Sequence, residues 1–255
     1  MKHTFSALVL AALVASPAAA QTDFQWHGLV LSGQTLEIRG VNGEIRATAG
    51  SGDATVTATK TARRNNPNDV RIEVVPHAGG VLICAVYPAP DGRAPNTCDI
   101  SGSNNNVRDN DTEVHFVVSV PPGVTFMGRT VNGDVDGEGL LGDADVKTVN
   151  GSVKLTTTGR GVANTVNGSI SVTMGRADWK EASFKTVNGG ITLKLPGSFG
   201  ADLSANTVNG DIRSDFPVSV TSMDRKSIRG TIGAGGPHVT ISTVNGSITL
   251  QRTQD

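Results

Sequence analysis

Thr148-Val149-Asn150-Gly151-Ser152-Val153 recurs along this chain with few changes. The five-residue phrase Val-Asn-Gly-x-Ile/Val stands at 131–135, 149–153, 166–170, 187–191, 208–212 and 244–248. A seventh copy lies far upstream at Val41–Ile45, and a worn one, Ile228-Arg229-Gly230-Thr231-Ile232, fills the gap before the last. From 131 onward the copies start 18, 17, 21, 21, 20 and 16 residues apart. A period near twenty marks a repeat architecture.

Asn-Gly is a turn dipeptide, since both residues tolerate positive φ. Each copy therefore reads as a sharp corner between two extended legs. Alternate residues of a strand share a face. Counting the Val as zero, position −1 is Thr in six copies (Thr130, Thr148, Thr165, Thr186, Thr207, Thr243). Position −3 is mostly apolar (Val146, Ala163, Phe184, Ala205, Ile241), as are +4 and often +6 (Leu155, Val172, Leu193, Leu250). These positions point to a common interior, and the Val at zero points outward. A meander of hairpins or a β-solenoid satisfies this parity. Near-identical phrases favour the solenoid, because files of Thr and Asn can then pair with themselves. The expected fold is all-β: a β-solenoid of stacked short-strand coils with Asn-Gly corners, each coil on the one before, and an N-terminal antiparallel β cap.

Residues 1–20 read as a secretory leader. Lys2 and His3 precede an apolar run from Phe5 to Val14, and Ala18-Ala19-Ala20 offers a small-residue cleavage site. The run is too short for a permanent membrane anchor, and no other reaches that length. The mature chain is expected to be exported, to the periplasm or beyond, with no transmembrane segment. Its 21 basic against 23 acidic residues predict no nucleic-acid partner. One domain is expected: a strand cap over 21–127 holding the first copy and an irregular loop, then solenoid repeats over 128–255.

The cap region carries strand patterns at 36–38, 54–58, 70–74 and 81–86, with a polar turn at 63–69. Residues 88–111 are irregular, with Pro88, Pro90, Pro95 and Asn104-Asn105-Asn106, and the only two cysteines, Cys84 and Cys98, flank them. In an exported chain an even pair predicts a disulfide; the alternative is two buried free thiols. Closing a loop of roughly fifteen residues contributes about 3 kcal/mol by loop-closure entropy. Val114, Phe116, Val118 and Val120 alternate on one strand face before Pro121-Pro122-Gly123. The chain ends on a polar tail, Gln251 to Asp255.

The leader, the early strands, Val120-Pro121-Pro122-Gly123-Val124 and the Thr-Val-Asn-Gly-Ser/Asp-Ile/Val phrase together resemble the bacterial "putative adhesin" domain family of exported β-strand-repeat proteins. The resemblance runs over roughly residues 28–250. It implies a β-solenoid in the envelope or outside the cell, and it brings no catalytic residues.

Catalytic motifs are missing: no Gly-x-Ser-x-Gly, no His-Glu-x-x-His, no phosphate loop. His27, His77, His115 and His238 stand without ligand-spaced neighbours. Asp134, Asp136, Glu138, Gly139 and Asp145 fall near a calcium-loop pattern, but Glu at the fifth place, Asp at the twelfth and flanking strands argue against it. No metal and no cofactor are expected. An ice-binding reading of the Thr files fails because parity turns them inward. The residues left as a candidate site are an outward ridge of Val131, Val149, Val166, Val187, Val208 and Val244, bordered by Asn132, Asn150, Asn167, Asn188, Asn209 and Asn245. Exposed apolar files can mark an interaction site, though they can also simply stack as ladder pairs. The expected role is a non-enzymatic binding or structural module with an unknown envelope or extracellular partner, protein or glycan. The alternative is a polysaccharide lyase or hydrolase on the same scaffold.

Overall fold

The computed structural model describes residues 24–102, 106–175 and 179–253. The leader at 1–20, Asn104-Asn105 and the last two residues of the tail lie outside the described residues. The first seven strands are β1 (Phe24–Gly28), β2 (Thr35–Arg39), β3 (Ile45–Ala49), β4 (Ala54–Thr61), β5 (Arg71–His77), β6 (Gly80–Val86) and β7 (Glu113–Val120). The next eight are β8 (Thr125–Arg129), β9 (Val135–Leu140), β10 (Ala144–Lys147), β11 (Val153–Thr157), β12 (Gly161–Asn164), β13 (Ile170–Met174), β14 (Glu181–Lys185) and β15 (Ile191–Leu195). The last six are β16 (Ala201–Asn206), β17 (Ile212–Ser214), β18 (Val218–Asp224), β19 (Ser227–Ile232), β20 (His238–Ser242) and β21 (Ile248–Arg252).

They form two sheets around one core. One has ten strands in the order β1-β4-β7-β3-β9-β11-β13-β15-β21-β17. The other has eleven, β18-β19-β16-β20-β14-β12-β10-β8-β2-β6-β5. Each coil gives one strand to each sheet and turns between them at Val-Asn-Gly. Coil-to-coil pairing is parallel and in register: Ile45, Val135, Val153, Ile170, Ile191 and Ile248 form one buried file. The parity reading holds for the copies from 131 onward, except that Ile212, on the edge strand β17, is only half-buried. The six threonines are 2–6% exposed, and Val146, Ala163, Phe184, Ala205 and Ile241 are fully buried.

The reason for the phrase differs from the one expected. No Asn of the corners has positive φ; among the described non-glycine residues only Asp109 does. Stacking explains the residue types instead. The Asn132 Nδ2 donates to Asn42 Oδ1 at 2.8 Å, and Asn150, Asn167, Asn188, Asn245 and Asn209 continue the ladder at 2.7–2.8 Å per step. Each buried Thr hydroxyl donates to the glycine carbonyl of the coil below, as Thr165 Oγ1 does to Gly151 O at 2.8 Å and Thr186 Oγ1 to Gly168 O at 2.9 Å. The glycines are required by close approach: a Cβ on Gly151 would lie 2.0 Å from Gly133 O, and one on Gly168 2.0 Å from Gly151 O.

Two expectations about order need correction. The stack does not follow the chain to its end. The coil of β20 and β21 sits between β14/β15 and β16/β17, so Asn245 bridges Asn188 and Asn209. The worn copy at 228–232 is no corner at all. It lies in β19, a straight strand antiparallel to β16 and β18. Lacking Asn, it has nothing to offer the ladder.

The far upstream copy stacks directly on the one at 131, with β2 on β8 and β3 on β9. Beyond it, β6 and β7 form a further turn without the phrase, and β4, β1 and β5 pair antiparallel outside them. Cys84 and Cys98 are joined by a disulfide. The bond ties the irregular loop to the outer side of β6, beside Leu82, Val86 and Val75. Tyr87 enters where a corner would stand. Its hydroxyl donates to Thr112 O at 2.8 Å and burial pushes its pKa up to about 12. The Asn42 amide, the last donor of the ladder, points at the carbonyls of Asn110 and Thr112.

Candidate functional site

The corners place the twelve ridge residues in two parallel files along one edge of the stack. Val131, Val149, Val187 and Val244 are 37–38% exposed, Val166 39% and Val208, at the end, 58%. Val41, under the irregular loop, is only 8% exposed and leaves the ridge. The fold makes this file mechanically. Thr and Ile must face inward on either side of the bend, so the Val between them faces out. The neighbouring amides are exposed yet mutually bonded, which fixes the edge without side-chain freedom.

The acidic run does not make a calcium loop. Asp134 accepts the Ser152 N–H at 2.7 Å, and Asp136 sits on β9 in the ten-strand sheet. Burial, then the Asp134 charge, raises the Asp136 carboxyl above its ordinary range. Asp145 is on β10, in the other sheet, so alternation points it away from the other three. His115 does gain carboxylate neighbours, Glu113 at 3.3 Å and Glu44 at 3.8 Å. Among the described residues no group of three or more His, Cys, Asp or Glu is arranged to hold a metal ion.

A second feature lies on the outer face of the eleven-strand sheet, away from the corners. β12 and β14 pair only at Ala163–Phe184 and Asn164–Lys185, the end next to the Val-Asn-Gly column. Toward the other end the strands part. The slit between them, about 340 Å³, is lined by Asp145, Arg160, Val162, Glu181, Ser183 and His238, among others. It adjoins a second concavity of about 540 Å³ shared by Arg160, Glu181, Asp143, Lys180 and Trp179. The Trp179 ring is held against Phe199 at 5.7 Å between centroids. Asp145 Oδ1 and Arg160 Nε are both shielded from solvent and make no hydrogen bond. Their ion-pair neighbours are distant, Lys147 at 3.8 Å and Asp143 at 3.7 Å.

Sequence reasoning passed over this slit, having weighed Asp145 only as a calcium ligand. One signal could have found it. The interval from Val166 to Val187 is 21 residues, against 17 for the one before. The excess falls mostly in the connection 175–180, which carries Trp179 and replaces the three-residue turn 158–160.

Residues 127–251 match the family described as Toastrack DUF4097. Among solved structures, the chain is similar to a "putative cell adhesion protein" from Clostridium sporogenes, at 11% identity over 90% of this chain and 99% of that one, TM-score 0.41. It is also similar to a "putative adhesin" from Bacteroides fragilis, at 12% identity over 90% and 96%, TM-score 0.27. A third is a "putative lipid binding protein" from Parabacteroides distasonis, at 10% identity over 91% and 98%, TM-score 0.26. No curated protein matches the chain.

Proposed function

Taking residues 127–251 as a Toastrack DUF4097 domain, we propose that this chain is an exported, non-enzymatic module of the cell envelope that binds a protein or glycan partner through its Val-Asn edge. One observation carries the reading: six valines, each more than a third exposed, stand in a single file beside an amide ladder that ties each corner to the next. A rigid apolar file loses little conformational entropy when a partner covers it. The polar groups beside it are engaged with one another, so the edge is built for contact rather than for proton transfer. The disulfide supports an oxidising compartment, periplasmic or extracellular.

The test is capture from envelope extract with the wild-type chain and with Val166→Lys/Val187→Lys. A partner held by the wild type and lost by the double variant, at unchanged melting temperature, is the expected result. The same partner retained by both would remove the ridge from the reading. The Trp179-flanked slit, with Asp145 and Glu181 on its lining, favours a second reading, glycan processing on this scaffold. Incubation with oligosaccharides that yields no shorter products disposes of it.

A further inference from the structure

The two sheets keep pace coil by coil until β16 and β17, the coil whose corner is Asn209. Beyond it the eleven-strand sheet continues for two more strands, β19 and β18, while the ten-strand sheet stops at β17. The stack therefore ends in a step two strands high, and among the described residues no strand of the shorter sheet faces that pair. The side chains on the step are those of an interior. β19 sets Ile232, Gly230 and Ile228 opposite the buried Ala201, Leu203 and Ala205 of β16, and β18 sets Val218, Val220 and Met223 opposite the same three of β19. Directly paired residues share a face. All of these therefore point to the side where the shorter sheet is missing. Val220 is 49% exposed there and Met223 67%. At the foot of the step Ile212 is half-buried, where Ile170, Ile191 and Ile248 of the other coils are fully buried. Both β17 and β18 are end strands, and β18 carries no charged side chain before Asp224. Such an edge is a template for another strand.

We propose that this step is a homodimer interface, filled by the same step of a second copy. The reading goes beyond that of the ridge. A half-turn about an axis along the strands exchanges the long sheet for the short one. It sets the second copy's β18 on the free edge of β17, and β18 on the second copy's β17. Each β19 then faces the other copy's β18 at the usual sheet spacing of about 10 Å. The two missing strands of each copy are thus supplied by the other, and the contact closes with two. A half-turn about the sheet normal would set long sheet against long sheet and leave the gap open. The chosen rotation keeps strand direction: β17 runs away from the corners and β18 toward them, so the new pairs are antiparallel. The bulge between Val220 and Ser222 leaves Val218 to Val220 as an unbroken run, as long as the three-residue β17. The charges agree as well. The turn after β18 carries the exposed Arg225 and Lys226 beside Asp224, and it comes to lie over the second copy's last corner. There the Asp211 side chain is 69% exposed, with Arg213 at 3.6 Å. A step about 23 Å long, from seven residues at roughly 3.3 Å each, offers on the order of 650 Å² per copy, about 1,300 Å² in all, within the range of stable interfaces. Both Val-Asn edges end up on the same side of the pair.

The experiment is sedimentation velocity with light scattering on the purified chain, from about 1 to 100 µM. A monomer–dimer equilibrium, or a dimer throughout, is the expected result. Val220→Lys and Met223→Lys each change a residue that is exposed in the single chain, so the circular dichroism spectrum should hold. By symmetry each change enters the interface twice, and each should weaken dimerisation at least roughly a hundredfold. Val166→Lys/Val187→Lys should leave the dimer intact, which separates this test from that of the ridge. The wild-type measurement needs no substitution, so it stands even where a variant misfolds. A monomer at every concentration would overturn the proposal. So would a dimer untouched by both single variants, or growth beyond two copies, because the half-turn uses each open end once.

Discussion

Along the Val-Asn-Gly edge every coil repeats its neighbour; along the opposite edge the connections run three residues at 141–143 and 158–160, six at 175–180 and five at 196–200. The first edge spends its polar groups on itself. Asn bonds Asn, Thr bonds the glycine carbonyl below, and glycine leaves room for glycine. The second edge has no common phrase, and there the strands can part. Shielded polar atoms without a hydrogen bond occur at Arg160 and Asp145, beside that variable edge, and in the cap at Thr112 and His115. Repetition therefore gives a rigid support, and departure from it leaves polar groups without hydrogen bonds.

The sharpest way to break this comparison is to load a Cβ onto the regular edge. Gly151→Ala would place a methyl 2.0 Å from the Gly133 carbonyl oxygen, a backbone atom held from both sides by the stack. Neither coil can shift without dislodging the amide and hydroxyl bonds of the next. A loss of at least about 3 kcal/mol is expected, as for overpacking without relief. Thermal melting should fall by roughly 6–12 °C for a chain of this size. A drop under 2 °C would show that the column flexes, and the rigid-edge argument would go with it.

A smaller loss is expected from Thr165→Val. The hydroxyl donates to Gly151 O at 2.8 Å inside the stack, and Thr165 is 6% exposed. The added methyl fits an interior position, but the glycine carbonyl loses its donor. The balance is about 1–2 kcal/mol of destabilisation by urea melting, with an unchanged m-value. No loss would mean that the Thr file is placed there for its methyl alone.

How much of this was open to a reader of the chain follows the same division. The facing of Thr, Val and Ile could be read because alternation in a strand has period two and the phrase fixes the phase. The stack itself was legible because seven copies of one corner can satisfy each other. The order of the stack was not, and the reason is the same near-identity: a corner that fits one neighbour fits any. That is how the copy at 244 comes to lie between those at 187 and 208. The Asn residues were read correctly as bends but for the wrong reason, since positive φ is a local property and the ladder is not. The slit was hidden because Arg160, Glu181 and Asp145 belong to three coils and meet only through pairing geometry.

The smallest effect comes from the variable edge, and it makes the comparison sharp. Gly175 follows β13 at the start of the long connection, and its N–H donates to Thr157 O at 2.9 Å. A Cβ there would meet Thr158 Cα no closer than 3.4 Å, ordinary contact. Its φ is outside the left-handed region, so alanine needs no strain. Gly175→Ala therefore adds no clash and keeps the bond, while it removes freedom from the unfolded chain, worth up to about 0.4–1 kcal/mol in favour of folding. The expected melting shift is between zero and roughly +3 °C. The same substitution, glycine to alanine, thus gives opposite signs on the two edges of the same stack. A fall at Gly175 comparable with that at Gly151 would mean the edges are packed alike, and the slit would then have no loose side to open from.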